Sequence, residues 1–244
     1  MGIIAAVYGF VCYVVFLGLF LYAIGFVGNF IVPKAIDSGS GTGLPEALAI
    51  NVVLLGLFAV QHSVMARSGF KAAWTRVVPR EVERSTYVLI SSLLLALVFW
   101  KWQAIPTAVW DVSSPVLNAI LLALFALGWL VVLLSTFIID HFDFLGLRQV
   151  YLRMRGVDYT PVKFVERAFY KHVRHPLYLG FLIAFWATPH MSVGHVVFSI
   201  ATTGYILVGI FLEERDLMKV HGTEYAAYRA RVPMLFPTGV KRDR

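Results

Sequence analysis

The sequence predicts an all-α fold: a polytopic membrane helix bundle of about six transmembrane helices with both termini in the cytoplasm. Three observations predict it. The 244 residues are 59% hydrophobic and only 14% charged, with a mean hydropathy of +0.76, whereas a soluble domain carries about a quarter charged residues. The apolar residues collect into runs at 3–31, 44–65, 87–100, 116–139, 176–190 and 194–212, and roughly 20 such residues cross a bilayer. Nineteen of the 21 lysines and arginines fall in the connections 67–86 and 140–175 and in the tail 213–244. Only Lys34 and Lys101 fall in the alternate ones. Excess Lys and Arg mark the cytoplasmic side, so an even number of crossings keeps all nineteen inside.

Each run has its own signals. The first holds no charge before Lys34, so it lacks the basic segment of a cleaved leader and reads as a retained helix. The single cysteine, Cys12, lies inside it, which removes any intramolecular disulfide or cysteine metal site. Ser38 to Gly43 alternates glycine with small polar residues and reads as a flexible outer loop. Trp100, Trp102 and Trp110 flank the connection after the third run and suit an interfacial aromatic belt. The third and fifth runs are short, which makes their ends the hardest to place. Beyond Glu214, apolar residues at Leu217, Val220, Tyr225, Tyr228 and Val232 read as a helix interrupted by Gly222 and ended by Pro233. The chain is thus a single domain, 1–244, with N-terminal helices to 139 followed by a cytosolic connection, a helical hairpin and a C-terminal region. The net charge of +7 follows from this topology and from contact with lipid headgroups. It is no sign of nucleic acid, and no obligate protein partner is evident.

Ionisable residues at membrane depth are costly and default to functional candidates. Here they gather at one depth. Gln61 and His62 precede Arg67, Asp140 and His141 follow the fourth run, Arg174 and His175 open the fifth, and Glu213 and Glu214 close the sixth. The outer face offers only His190 and His195. Taken singly, each has a plain reading as a packed histidine, a solvated helix end or a lipid anchor. Taken together, they describe a site reached from the cytosol. A metal at His62, Asp140 and His141 is not required by this pattern.

The segment from Tyr170 to Gly180, with its Arg-His-Pro-x-Tyr-x-Gly core, is followed by an apolar hairpin, Glu213-Glu214 and Tyr225-x-x-Tyr228. This order resembles the C-terminal core of the isoprenylcysteine carboxyl methyltransferase superfamily, membrane enzymes that use S-adenosylmethionine. The segments Gln61–Arg67 and Ile139–Gln149 are similar to the NnrU-type branch. The stretch 164–169 lacks a glycine common in relatives before the Arg-His-Pro motif. The resemblance implies S-adenosyl-L-methionine as cofactor and methyl transfer to a small thiol, methanethiol giving dimethyl sulfide. It also implies integral placement in a bacterial inner membrane with the site facing the cytoplasm.

The residues it marks are Tyr170, Arg174, His175, Pro176, Tyr178, Gly180, Glu213, Glu214, Tyr225 and Tyr228 for the cofactor. Gln61, Arg148 and Gln149 are marked for the substrate, and His62, Asp140 and His141 for catalysis. Their chemistry suits those roles. Arg174 can take the cofactor carboxylate, and Pro176 in the first helical turn leaves amide donors nearby. Glu213 or Glu214 can accept from the ammonium or ribose. Tyr178 can face the cationic end, and Gly180 admits the cofactor or a neighbouring helix. A thiol reacts as thiolate, so His62, or His141 oriented by Asp140, is the candidate base. Competing readings are methylation of a prenylcysteine carboxylate or a lipid amine, a non-enzymatic denitrification-linked accessory protein, and a channel or transporter.

Overall fold

The computed structural model describes residues 2–39, 42–162 and 166–237. The elements run α1 (Gly2–Gly28), α2 (Leu44–Ala66), α3 (Ser68–Trp74), α4 (Arg80–Lys101), β1 (Ala108–Asp111), α5 (Pro115–Ile139), α6 (His141–Phe144), α7 (Leu147–Met154), a 3-10 turn (Ala168–Lys171), α8 (Pro176–Trp186), β2 (His190–Ser192) and α9 (Val193–Arg231). Helices α1, α2, α4, α5 and α9 are each long and apolar enough to cross a membrane. The fifth predicted run forms a shorter helix, the 11 residues of α8. It stops at Trp186 because Pro189 cannot donate a backbone hydrogen bond and restricts the residue before it.

The chain divides into two compact units. The first comprises Met1–Val109, Asp140–Val162 and Ser192–Val197. Within it α1 packs on α4 and α7, and α2 packs on α4. Gly9 lets α7 close on α1, since a Cβ there would lie 2.6 Å from Val150 Cγ2. Glu81 and Glu83 in the first turn of α4 and Lys101 in its last complement the helix dipole. Asn51 is wholly buried in α2 and grips the chain after α4. Its Nδ2 donates to Gln103 O (2.8 Å) and its Oδ1 accepts from Gln103 N (2.9 Å). Trp102 departs from the expected aromatic belt. It is 1% exposed and donates from Nε1 to Ile36 O, whereas Trp100 is 68% exposed. An apolar cluster of Met65, Tyr87, Val88 and Leu145 fills the unit's other end, with Tyr13 and Phe144 packed against it.

The second unit comprises Trp110–Ile139, Lys163–Met191 and Phe198–Arg244, and α5 against α8 is its main contact. Gly128 and Gly180 permit it. A Cβ on Gly128 would meet Gly180 O at 2.7 Å, and one on Gly180 would meet Gly128 O at 2.7 Å. Close backbone approach at small residues is how membrane helices associate, since lipid tails leave no hydrophobic force between them. Trp129, Phe181 and Phe185 interlock edge-on beside this contact. Flanking segments extend α8 along α5. Arg167 donates to Ile138 O at the C-terminal end of α5. At the other end Trp110 Nε1 donates to Thr188 O, and Val112 N to Pro189 O. As expected, α9 breaks at Gly222 (φ 51°, ψ −119°), a backbone that glycine adopts without strain. Tyr225, Tyr228 and Val232 then pack on Leu217 and Met218.

Candidate functional site

In the first unit the polar candidates of α2 meet α4. The His62 ring is stacked by Phe58 and met at both nitrogens: Nε2 lies 2.9 Å from Tyr87 Oη, and Nδ1 lies 3.2 Å from Ser91 Oγ. Ser91 also shares hydrogen bonds of 3.3 Å with both amide atoms of Gln61. The Arg84 guanidinium lies 4.9 Å from the centre of the Tyr87 ring and 5.0 Å from that of Phe144. Its Nε donates to Phe144 O (2.7 Å).

His141 forms a second histidine–tyrosine pair, with Nε2 3.1 Å from Tyr13 Oη. It is 4% exposed. That burial pushes its pKa below the usual histidine value, with the Asp140 charge pulling the other way. Asp140 was expected to orient this imidazole; in the structure its Oδ1 instead caps α6, accepting from Asp143 N (3.0 Å). The Asp140 backbone takes φ 138°, ψ 89°, a conformation costly for any residue but glycine and typical of functional positions.

Arg148 and Gln149, expected at the substrate, serve the fold around Asp143. Arg148 Nη1 donates to Asp143 Oδ1 (2.9 Å) and Thr160 O (2.7 Å), and its Nη2 to Thr160 Oγ1 (3.0 Å). Gln149 Nε2 donates to Asp143 O (3.1 Å), while its buried Oε1 has no hydrogen-bond partner among the described residues. The chain is thereby strapped from α7 back to Thr160.

In the second unit the candidates converge on Glu214. Arg174 Nε donates to its Oε1 (2.7 Å), His175 Nε2 to the same oxygen (3.1 Å), and Arg229 Nε lies 3.3 Å from Oε2. Tyr178 Oη donates to Glu213 Oε2 (3.0 Å). Arg174 does more than the sequence implied: Nη1 donates to the carbonyls of Arg229 and Val232. The backbone amides of Arg174 and His175 donate to Pro233 O (2.9 Å) and Met234 O (3.1 Å). Its side chain is only 10% exposed and that of Glu214 only 8%, against 43% for Glu213. Arg174 is therefore an internal brace. Tyr228 Oη donates to Tyr170 O (2.7 Å), and burial with the Glu213 charge raises the Tyr170 phenol above its usual range. Pro176 opens α8 at its first turn, and Gly180, marked for the cofactor, is taken up by α5. Beside Glu214 lies an open cleft of about 420 Å³ lined by Phe211, Glu214, Arg215, Met218, Lys219 and Arg229, within the size range of ligand pockets. The described residues contain no grouping of three His, Cys, Asp or Glu side chains able to hold a metal.

Several of these groups escaped the sequence reading: Tyr13, Arg84, Tyr87, Ser91 and Arg229. For three of them a signal existed. Arg84, Tyr87 and Ser91 recur at helical spacing and place a polar stripe on the otherwise apolar α4. The stretch 164–169 is described only from Glu166, so residues 163–165 lie outside the described residues, as do Ser40 and Gly41 of the expected outer loop.

Fold and site together define a polytopic helical membrane protein with one histidine–tyrosine-rich cluster and one carboxylate–guanidinium cluster. The chain belongs to the NnrU protein family, whose profile matches residues 51–235. It is 56% identical to methanethiol S-methyltransferase from Crocosphaera subtropica, over 94% of this chain and 90% of that one. It is 53% identical to methanethiol S-methyltransferase from Mycobacterium tuberculosis, over 95% of both. A more distant relative, nurim from Rattus norvegicus, is 31% identical over 70% of this chain and 68% of its own. No solved structure matches.

Proposed function

We propose that this chain is a membrane methyltransferase that transfers a methyl group from S-adenosyl-L-methionine to methanethiol, giving dimethyl sulfide. The observation that carries this reading is the identity above 50% to methanethiol S-methyltransferases over 94–95% of the chain, which takes in both clusters. The cleft beside Glu214 fits the cofactor by the chemistry of its lining. S-adenosylmethionine presents a carboxylate, an ammonium, a ribose, an adenine and a sulfonium. Arg215, Lys219 and Arg229 offer cations to the carboxylate. Glu214 in the lining, and its neighbour Glu213 outside it, offer acceptors to the ammonium and ribose, and Phe211 and Met218 offer apolar surface. Arg174 and His175 hold Glu214 in place, while Tyr178 orients Glu213. The bound cofactor would supply an electrophilic methyl group on sulfur.

The first unit serves the thiol. Alkyl thiols are weaker acids than free cysteine, at about 8.5, so ionisation needs a base. The base lies in the His62 cluster, or is His141 beside Asp140. The apolar cluster of Met65, Tyr87 and Leu145, with Tyr13 packed against it, gives both histidines an apolar neighbourhood. In the membrane α8 and its extended flanks make the sixth crossing alongside α5. Both termini and the Lys- and Arg-rich connections then lie on the cytoplasmic side of a bacterial inner membrane.

The test supplies membranes holding this protein with S-adenosylmethionine and methanethiol and measures dimethyl sulfide in the headspace. Production that depends on both reactants, with methanethiol preferred over a prenylcysteine or a lipid amine, is expected. Methylation of a prenylcysteine with no dimethyl sulfide would refute the substrate, and no cofactor binding at all would refute the reading.

A further inference from the structure

His62 has no ring nitrogen open to a substrate thiol. Proton transfer to an imidazole occurs at nitrogen, and the two nitrogens face Tyr87 Oη at 2.9 Å and Ser91 Oγ at 3.2 Å. A proton reaching His62 must therefore pass through one of these hydroxyls. They are not equivalent. Ser91 is an aliphatic alcohol shared with Gln61 on both amide atoms, while the Tyr87 hydroxyl also reaches the His62 carbonyl at 3.4 Å. Tyr87 is a phenol, and phenols as a class are far stronger acids than aliphatic alcohols and close in acidity to alkyl thiols; matched partners exchange a proton most readily. The cation stands at the Tyr87 end too. Arg84 lies 4.9 Å from the phenol ring centre. Its Nε is spent on Phe144 O, and no carboxylate partner of Arg84 is found among the described residues.

Resting on the methyl transfer proposed above, we infer that Tyr87, backed by Arg84, is the catalytic residue that takes the thiol proton, with His62 acting as its proton store. The thiol S–H proton moves to Tyr87 Oη as the Tyr87 proton moves to His62 Nε2. The result is a thiolate and an imidazolium whose Nδ1–H donates to Ser91 Oγ, which in turn donates to Gln61 Oε1. The thiolate sulfur forms its new bond to the methyl carbon, the carbon–sulfonium bond breaks, and its electron pair stays on the departing thioether. The imidazolium then returns its proton to solvent. Arg84 lowers the cost of negative charge on the phenol oxygen and the sulfur during the exchange.

The experiment compares wild type with Tyr87→Phe and Arg84→Gln on methanethiol and on an aryl thiol that is already largely ionised at neutral pH. Tyr87→Phe should lower kcat for methanethiol about 100-fold at pH 7 and leave S-adenosylmethionine affinity unchanged. It should regain about tenfold per pH unit as solvent supplies thiolate, and methylate the aryl thiol near the wild-type rate. Arg84→Gln keeps the phenol in place and should show a smaller loss with the same pH recovery; it carries the test if Tyr87→Phe does not fold. A Tyr87→Phe variant with wild-type methanethiol turnover overturns the inference. So does one that loses activity equally on both thiols at every pH, which is what a merely structural tyrosine would give. A wild type that binds cofactor but methylates no thiol overturns the underlying reading itself.

Discussion

The Gly128–Gly180 contact offers a measurable test of how the second unit is held together. An alanine Cβ at Gly180 would lie 2.7 Å from Gly128 O and 2.9 Å from Val132 N, where ordinary contact begins at 3.4 Å. The helices must part by roughly half an ångström or more. Overpacking of this kind costs about 1–3 kcal/mol. Alanine also favours a helix over glycine by about 1 kcal/mol, so the clean comparison is with Gly204→Ala on α9. There nothing lies within 4 Å of the added carbon. The two variants should differ by about 1–3 kcal/mol, or about 2–12 °C in melting temperature for a chain of this size. Thermal unfolding in detergent, followed by circular dichroism, reads the difference directly. Since α8 carries Tyr178 and begins directly after His175, cofactor affinity should fall in Gly180→Ala and hold in Gly204→Ala. Identical melting curves would refute the close-packing argument.

The buried Arg174–Glu214 pair predicts that Arg174→Ala destabilises the protein by about 3–5 kcal/mol, seen as poor accumulation in membranes. Glu213→Gln, at a half-exposed position, should keep the fold and weaken S-adenosylmethionine binding in a direct titration. Because burial lowers the pKa of His141, its neutral form is favoured in the folded protein. The unfolded chain therefore binds more protons once the pH drops below about 6.5, and stability falls as the pH falls from there to the folded value. His141→Gln should remove that part of the loss, checked by unfolding at pH 7.5 and 5.5. Reporter fusions at Ala108 and Ser192 should read outside, and those at Arg76, Arg155 and the C-terminus inside; a reversed pattern at Ser192 would remove the sixth crossing.

Much of the fold was legible because lipid imposes simple rules. Five of six runs became long helices, three of them within a few residues of both expected limits, since backbone groups in hydrocarbon must be satisfied inside a helix; α4 begins seven residues before its run and α9 continues through the tail. Gly222 and Pro233 punctuated the tail as read. What stayed hidden was partnership. Nothing local to Arg174 says that its acceptors are the carbonyls of Arg229 and Val232, and nothing local to Trp102 says that Ile36 O awaits it. The aromatic belt inferred for Trp102 failed because composition cannot tell an interfacial indole from one folded inward. His62 was visible as a polar residue in an apolar run. Tyr87 was not, because a tyrosine in a membrane helix is unremarkable until its hydroxyl is seen at a histidine nitrogen.

The backbone pairing of Arg174 and His175 with Pro233 and Met234 bears on how the protein is made. Translation proceeds from the N-terminus and folding tends to follow, yet these two amides and the Arg174 guanidinium draw partners from chain that emerges about sixty residues later. Until that stretch leaves the ribosome, the start of α8 carries a guanidinium without its carbonyl partners beside a membrane under assembly. Maturation of this corner is therefore post-insertional, and a nascent chain stalled before Arg229 should remain sensitive to protease near Arg174 while its first helices are already protected.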